Sequence, residues 1–142
     1  MGADFKQLVK FSEQLEKLSD EQKDQFMESC AKELAARLLA KVIKRTPSST
    51  GTLRRGWTAG QNQNATTYAN SLKVNQFGGV YQIEIVNPIE YASYVEYGHR
   101  TRDHQGWVNG HFMLTISEQE INSSTEAILT KKLNKFMKDV FT

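Results

Sequence analysis

Residues 91–102 read YASYVEYGHRTR and mark the point at which an aromatic helix gives way to a cationic loop. Tyr91, Tyr94 and Val95 stand at positions i, i+3 and i+4, a spacing that puts side chains on one helix face. Gly98 follows, and a glycine at a helix C-terminus ends the helix by adopting a left-handed conformation. We therefore predict a short helix that ends at this glycine.

The loop after this helix is basic. It carries two histidines, two arginines and one acid, namely His99, His104, Arg100, Arg102 and Asp103. Because such a loop has little apolar area to bury, we expect it to lie in solvent or to contact something negatively charged.

Three further helices are predicted, two of them long and amphipathic. Apolar spacing indicates a helix over residues 4–18. Ser19 and Gln22 then form a capping-box pattern that begins a second helix, ending near Arg45 because Thr46 precedes a proline. Its apolar stripe consists of Phe26, Cys30, Leu34, Leu38 and Val42. A last helix follows residues 107–112 and extends to about residue 140.

The polar middle of the chain predicts loops and strands. We expect a short strand over residues 53–58 and a weaker one over residues 67–74. Residues 80–86 alternate, which predicts a half-buried strand whose inward face carries Tyr81, Ile83 and Ile85. The expected fold is one α+β domain over residues 1–142, with a small antiparallel sheet of about three strands, two long amphipathic helices and a short helix.

Composition excludes several classes of protein. The net charge is only +2, which does not favour nucleic-acid binding by bulk electrostatics. No apolar run approaches the roughly 20 residues that span a bilayer, and the N-terminus lacks the pattern of a signal peptide. The one cysteine, Cys30, cannot form an intrachain disulfide. We expect a protein of a reducing cytoplasm, without membrane contact.

Catalytic, metal and nucleotide sites find little support. The spacing of His99, His104 and His111 matches no strong metal-ligand motif, so surface or structural roles are expected. Three acids, Glu84, Glu90 and Glu96, could supply the paired carboxylates of a hydrolase. Glu84 is expected on the solvent face of its strand, and solvated faces are the default for acids, so no active site is expected. Ser48, Ser49 and Thr50 resemble a phosphate cradle only faintly, because no glycine-rich nucleotide motif is present. We predict no catalytic residue, no cofactor and no metal.

Arginine beside tryptophan is the most suggestive pattern. Arg54 and Arg55 precede Trp57, and Arg100 and Arg102 precede Trp107. Such pairs occur in protein interfaces and in nucleic-acid grooves. A solvated surface, an acidic protein partner and DNA all remain open as explanations.

Three segments resemble the tail-completion, or head–tail joining (neck), proteins of long-tailed bacteriophages and prophages. They are TPSSTGTLRRGW at residues 46–57, the Tyr-Ala-Xaa-Tyr-Val-Glu-Xaa-Gly pattern within residues 88–102, and GWVNGHFMLTISEQEI at residues 106–121. The resemblance is closest to versions in prophages of Gram-positive hosts. Ser48 and Ser49 stand where that family often has an acid before Thr-Gly.

The resemblance implies a non-enzymatic virion protein without a cofactor. It implies a ring, of six subunits, between the head connector or stopper protein and the tail terminator or tail tube proteins, with genome DNA passing through the lumen. On this basis we expect assembly in the host cytoplasm. The expected interface residues are Arg54, Arg55, Trp57, His99, Arg100, Arg102 and Trp107. Gly51 and Gly98 are expected at positions where the backbone conformation requires glycine. Tyr91, Tyr94 and Tyr97 are expected to hold the short helix against the sheet.

Two other functions stay open. One is a small DNA-binding or packaging-associated prophage protein, whose affinity would fall steeply with salt. The other is a prophage enzyme such as a hydrolase, which would need a perturbed carboxylate or histidine in a pocket.

Overall fold

The computed structural model describes residues 18–47, 51–60, 63–78 and 80–141. The helix predicted over residues 4–18 and the Ser48–Ser49–Thr50 segment therefore lie outside the described residues. Five helices and four short strands occur in the described part, in the chain order α1 (Asp20–Arg45), α2 (Thr52–Gly56), α3 (Ala65–Ser71), β1 (Asn75–Phe77), β2 (Val80–Gln82), α4 (Ala92–Tyr97), β3 (Gly98–Arg100), β4 (Trp107–Asn109) and α5 (Met113–Phe141). The mixture confirms the predicted α+β class.

Helix α1 begins and ends where the sequence predicts. The Ser19 hydroxyl accepts a hydrogen bond from the Gln22 amide, and the Gln22 side chain accepts one from the Ser19 amide. Both bonds satisfy N–H groups that a helix start otherwise leaves open. At the other end, Thr46 is extended with ψ of 129°, as the following proline requires.

The core lies between α1, α5 and the shorter elements. Two clusters form: one joins Leu39 and Val42 of α1 to Trp57 and Met113, and the other joins Phe26 and Cys30 of α1 to Leu133 of α5. The predicted stripe holds at Phe26, Cys30 and Val42, but Leu34 and Leu38 are only half-buried.

Ion pairs also connect the two long helices. Glu120 of α5 accepts hydrogen bonds from Lys41, at 2.9 Å, and from Arg45. All three side chains are about one-third exposed. Each pair is therefore worth little alone, but the shared carboxylate fixes the register of the two helices near the C-terminus of α1.

The strand predicted over residues 53–58 is wrong, because these residues form helix α2. Gly51, with φ of 74°, precedes its first turn. Leu53 and Trp57 stand four residues apart and are both buried, which a helix allows by placing them on one face. Burial of these two side chains against α1 and α5 therefore outweighs the low helix propensity of the short polar segment.

The strand predicted over residues 67–74 is also wrong. The Asn64 side chain accepts a hydrogen bond from the Thr67 amide at 2.7 Å and so caps helix α3. Ala65, Tyr68 and Ala69 follow the i, i+3, i+4 spacing and pack into the core. The sequence contained this signal, since asparagine is among the strongest N-cap residues.

The strands form two separate two-stranded antiparallel sheets instead of one sheet of about three strands. In the first, Phe77 pairs with Val80 across the turn. In the second, Arg100 pairs with Trp107. The strand predicted over residues 80–86 is too long, because β2 covers only Val80–Gln82. Its predicted inward face is confirmed, because Tyr81, Ile83 and Ile85 are half-buried while the residues between them are exposed.

Candidate protein–protein interface

The β3–β4 hairpin is held on the body of the protein by Glu96 of α4. One carboxylate oxygen accepts a hydrogen bond from the Leu114 amide at 2.8 Å. The other accepts bonds from the Thr115 amide at 2.9 Å and the Thr115 hydroxyl at 2.7 Å. Glu96 is 5% exposed, so this negative charge at the start of α5 is shielded from water and caps that helix.

Two glycines let the base of the hairpin close tightly. A Cβ at Gly98 would lie 2.5 Å from the Val108 carbonyl oxygen, and a Cβ at Gly110 would collide with the Glu96 carbonyl. Two backbone bonds run beside them, from the His111 amide to the Val95 carbonyl at 2.7 Å and from Phe112 to Glu96 at 3.0 Å. The hairpin is thus anchored at both of its ends.

Both faces of the hairpin carry exposed apolar side chains. On one face the Trp107 indole lies over Gly98, next to its cross-strand partner Arg100, and is still 59% exposed. On the other face Val108 pairs with His99, whose ring lies 5.7 Å from the Tyr94 ring. We call this surface the aromatic hairpin, and it comprises Tyr94, Tyr97, His99, Arg100, Trp107, Val108 and Phe112.

The predicted basic loop is the ordered turn of this hairpin. Asp103 accepts hydrogen bonds from the Thr101 hydroxyl, at 2.5 Å, and from the Gln105 amide, at 3.1 Å. The Thr101 bond, and then the Gln105 bond, lower the pKa of the Asp103 carboxyl below its usual value. The acid therefore stays ionised inside the turn, and Arg102 and His104 project from it exposed.

Trp57 is buried in the core, which corrects its predicted role as an interface residue. It is 4% exposed, and its indole N–H donates a hydrogen bond to the Thr46 hydroxyl at 2.9 Å. Arg54 donates to the Thr46 carbonyl at 2.7 Å and so satisfies the C-terminus of α1. Among Arg54, Arg55 and Trp57, only Arg55 is exposed, and its guanidinium lies next to Gly51.

The predicted role of the tyrosines is also corrected. Tyr91, Tyr94 and Tyr97 are 41%, 59% and 63% exposed, so they do not hold α4 against a sheet. The helix packs instead through Ala92 and Val95, and through buried Glu96. The aromatic face therefore belongs to the exposed surface, where it adjoins the hairpin.

The structure separates the residues considered for chemistry. Glu84 and Glu90 are exposed, whereas Glu96 caps α5. His99 lies on β3, with its Nδ1 buried and without a hydrogen-bond partner among the described residues. His104 lies in the turn with φ of 61°. Within the described residues, no group of three or more His, Cys, Asp or Glu could hold a metal ion.

Sequence reasoning missed one structural residue that supports this region. The Asn87 side chain donates to the Leu53 carbonyl at 2.8 Å and accepts from the Ile89 amide at 3.1 Å. It lies against Gly56, where a Cβ would collide with the Asn87 side chain. The Asn-Pro pair predicted only that a strand ends there, since a long-range bond to α2 leaves no local signal.

The comparisons with known proteins agree with a virion component. A family model described as "Bacteriophage HK97-gp10, putative tail-component" matches residues 9–98. No curated protein and no solved structure matches the chain. The match covers more than half of the chain, so the protein belongs to the HK97-gp10-like family of phage tail components. This result confirms the predicted phage family and a structural role in the virion.

The family match ends at Gly98, where β3 begins. The rest of the aromatic hairpin and all of α5 therefore lie beyond it. None of the helices in the described ranges is both long enough and apolar enough to span a membrane.

Proposed function

We propose that this chain is a non-enzymatic neck subunit that joins the phage head connector to the tail, and that the aromatic hairpin is its contact surface. The observation that carries the proposal is the exposed Arg100–Trp107 pair on a hairpin fixed by Glu96. The HK97-gp10-like family supports the broader role in the virion.

The composition of the hairpin is that of a binding surface. Tryptophan, tyrosine and arginine are the residues that most often dominate the energy of protein interfaces. Here Tyr97 and Phe112 contact each other edge to face at 6.4 Å, and both remain exposed beside Trp107. Because the hairpin is already ordered by backbone bonds, binding would cost little additional conformational entropy.

The partners in this proposal are the head connector or stopper protein and the tail terminator or tail tube proteins. The subunits form a ring, taken as hexameric from the resemblance, with genome DNA passing through its lumen. In this arrangement residues 1–142 act as one domain. The exposed cations Arg55, Arg100 and Arg102 then face neighbouring proteins or the lumen.

Electron microscopy of induced lysates tests the neck role. A host whose prophage lacks this gene should yield full heads beside unattached tails, or tails of aberrant length. A wild-type gene supplied in trans should restore joined particles, and R100E/R102E should fail to do so. Normal joined particles from the deletion would overturn the proposal.

A matched control separates the hairpin from net charge. Lys131→Glu/Lys135→Glu makes the same charge change on exposed residues of α5. This control should restore joining as well as the wild type does. If it fails as R100E/R102E fails, overall charge and not the hairpin is responsible.

Duplex DNA is the second candidate ligand of the same surface, because Arg100 and Arg102 are exposed next to an exposed indole. Phosphate contacts make affinity fall steeply with salt. Binding of duplex DNA at low salt that R100E/R102E abolishes would favour this function. No binding at low salt would remove it.

A further inference from the structure

An apolar groove runs between α1, the segment after β2, and α5. Its volume is about 410 Å³, within the range of pockets that receive a small ligand or a large side chain. The aliphatic lining comes from all three elements and consists of Ala31, Leu34, Ala35, Leu38, Ile83, Ile85 and Ile121. The half-buried apolar residues of α1, such as Leu34 and Leu38, therefore form part of the groove wall.

Acidic side chains lie in the groove and at one end of it, where Lys32 pairs with Glu28 at 3.7 Å. Glu118 is the one charged side chain among the described residues that line it. At the end marked by Tyr81, the Asp24 carboxylate accepts a hydrogen bond from the tyrosine hydroxyl, and Glu28 acts on the same hydroxyl electrostatically. That hydrogen bond, the largest cause, raises the pKa of Tyr81 to about 12. The groove therefore suits an apolar ligand that also carries positive charge.

One wall of the groove is formed by the segment that follows β2, residues 83–86, whose backbone we call the open edge. Residues 83–86 continue the alternating burial of β2 but pair with no other strand in the described part of the chain. Their backbone amides and carbonyls also make no backbone–backbone hydrogen bond with the described residues. An extended segment with unpaired backbone groups is the feature to which a partner adds a strand.

We propose that the groove and its open edge receive the aromatic hairpin of a second copy of this chain. Trp107 and Val108 would cover the aliphatic floor, Arg100 and Arg102 would face Glu118 and the Asp24 end, and a hairpin strand would pair with residues 83–86. This inference rests on the proposed function, since it takes the hairpin as the contact surface.

The chain itself supplies the argument for a second copy. The hairpin is apolar and cationic, whereas the groove is apolar and acidic, and the two surfaces share no residue. Each copy can therefore give its hairpin to one neighbour while its groove receives another. Such a head-to-tail contact closes into a ring or extends as a filament, depending on the rotation between copies.

A charge-swap experiment tests the contact by sedimentation of the full chain over a range of concentrations. The hairpin variant is R100E/R102E, and the groove variant is Asp24→Lys/Glu118→Lys, both of whose positions are exposed. The wild type should self-associate. Each variant alone should associate roughly tenfold or more weakly, because like charges then oppose each other.

Mixing the two variants provides the decisive result. In an equimolar mixture every hairpin can meet a groove of opposite charge, so association should return to near the wild-type level. Unchanged circular dichroism and melting of each variant would show that the folds are intact. Failure of the mixture to associate, or a wild type that stays monomeric to millimolar concentration, would overturn the inference.

The outcome separates this inference from the neck proposal. If the mixture associates but the hairpin variant still joins heads to tails, the self-contact stands and the neck role of the hairpin fails. If the hairpin variant blocks joining but the mixture does not associate, the hairpin contacts a different protein and the inference fails.

Discussion

The carboxylate of Glu96 accepts hydrogen bonds from both the backbone amide and the side-chain hydroxyl of Thr115, at 2.9 and 2.7 Å. The two residues are 19 positions apart, with the β3–β4 hairpin between them. This link fixes the hairpin relative to the first turn of α5. It also satisfies N–H groups that have no partner inside a helix.

Glu96→Ala should lower the free energy of unfolding by about 2–4 kcal/mol, because it leaves buried amides without acceptors and removes a helix-capping charge. Glu96→Gln should cost less, since an amide oxygen still accepts. Urea denaturation measures both changes. Glu90→Ala, at an exposed position, is the matched control and should change stability by less than about 0.5 kcal/mol. An equal effect of the two alanine variants would contradict the capping role.

Gly98→Ala should destabilise the protein by about 2 kcal/mol or more, because φ is 89° and the new Cβ would press on the Val108 carbonyl. Gly60 is the control, since its φ of 77° is also positive but nothing lies within 4 Å of its Cβ position. Gly60→Ala should cost only the backbone strain, about 1 kcal/mol. Thermal melts of the two variants compare them, and equal shifts would show that crowding at Gly98 is unimportant.

The two tryptophans should differ in fluorescence, because Trp57 is 4% exposed and Trp107 is 59% exposed. Trp107→Phe should leave a blue-shifted emission that acrylamide quenches poorly. Trp57→Phe should leave a red-shifted emission that acrylamide quenches strongly. The opposite assignment would mean that the hairpin is buried in solution, for example by self-association, which dilution would reverse.

Cys30 should react slowly with a thiol reagent such as DTNB until the protein unfolds. Burial is the main cause that raises its pKa from 9.0 to about 12, and the thiolate is the reactive form. Raising the pH from 7 to 9 should therefore increase labelling of the folded protein far less than labelling in urea. Rapid labelling of the folded protein at pH 8 would contradict this.

The raised pKa of Cys30 also predicts how the stability of the protein changes with pH. Below pH 9 both the folded and the unfolded states keep the thiol proton, so the contribution of Cys30 is complete. Between pH 9 and about 12 only the unfolded state releases it, so this contribution is lost as pH rises. Cys30→Ala should flatten the stability profile in that window, apart from a constant loss of packing. If the slope of stability against pH in Cys30→Ala equals that of the wild type, Cys30 does not cause the loss of stability in this window.

The boundaries of α1 were predictable because the signals are local. Ser19 bonds to a residue three positions away, and Thr46 is constrained by its immediate neighbour Pro47. The inward face at Tyr81, Ile83 and Ile85 was predictable for the same reason, since alternation is a property of adjacent residues. The α+β class and the phage family also followed from the sequence.

The errors have two causes. At residues 65–71 a local signal, the Asn64 N-cap, was missed. Residues 52–56 have no strong local preference, so their state depends on burial against α1. A helix face of aromatic residues likewise does not reveal whether it is buried. In α4 the small and acidic side chains face inward because Glu96 meets the start of α5, and the tyrosines are left outside.

The sequence by itself determined the elements whose signals act within about four residues: the capped start and proline-limited end of α1, the alternating segment after Gly79, and the position of Gly98. Only the tertiary structure decided that Trp57 is internal and Trp107 external, and that the basic loop is an ordered hairpin turn. It also decided that residues 83–86 pair with no strand in the described part of the chain and lie beside an apolar groove that Glu118 lines. These features depend on contacts between distant residues, and the free energy of burial that selects them is set by the assembled fold, not by adjacent side chains.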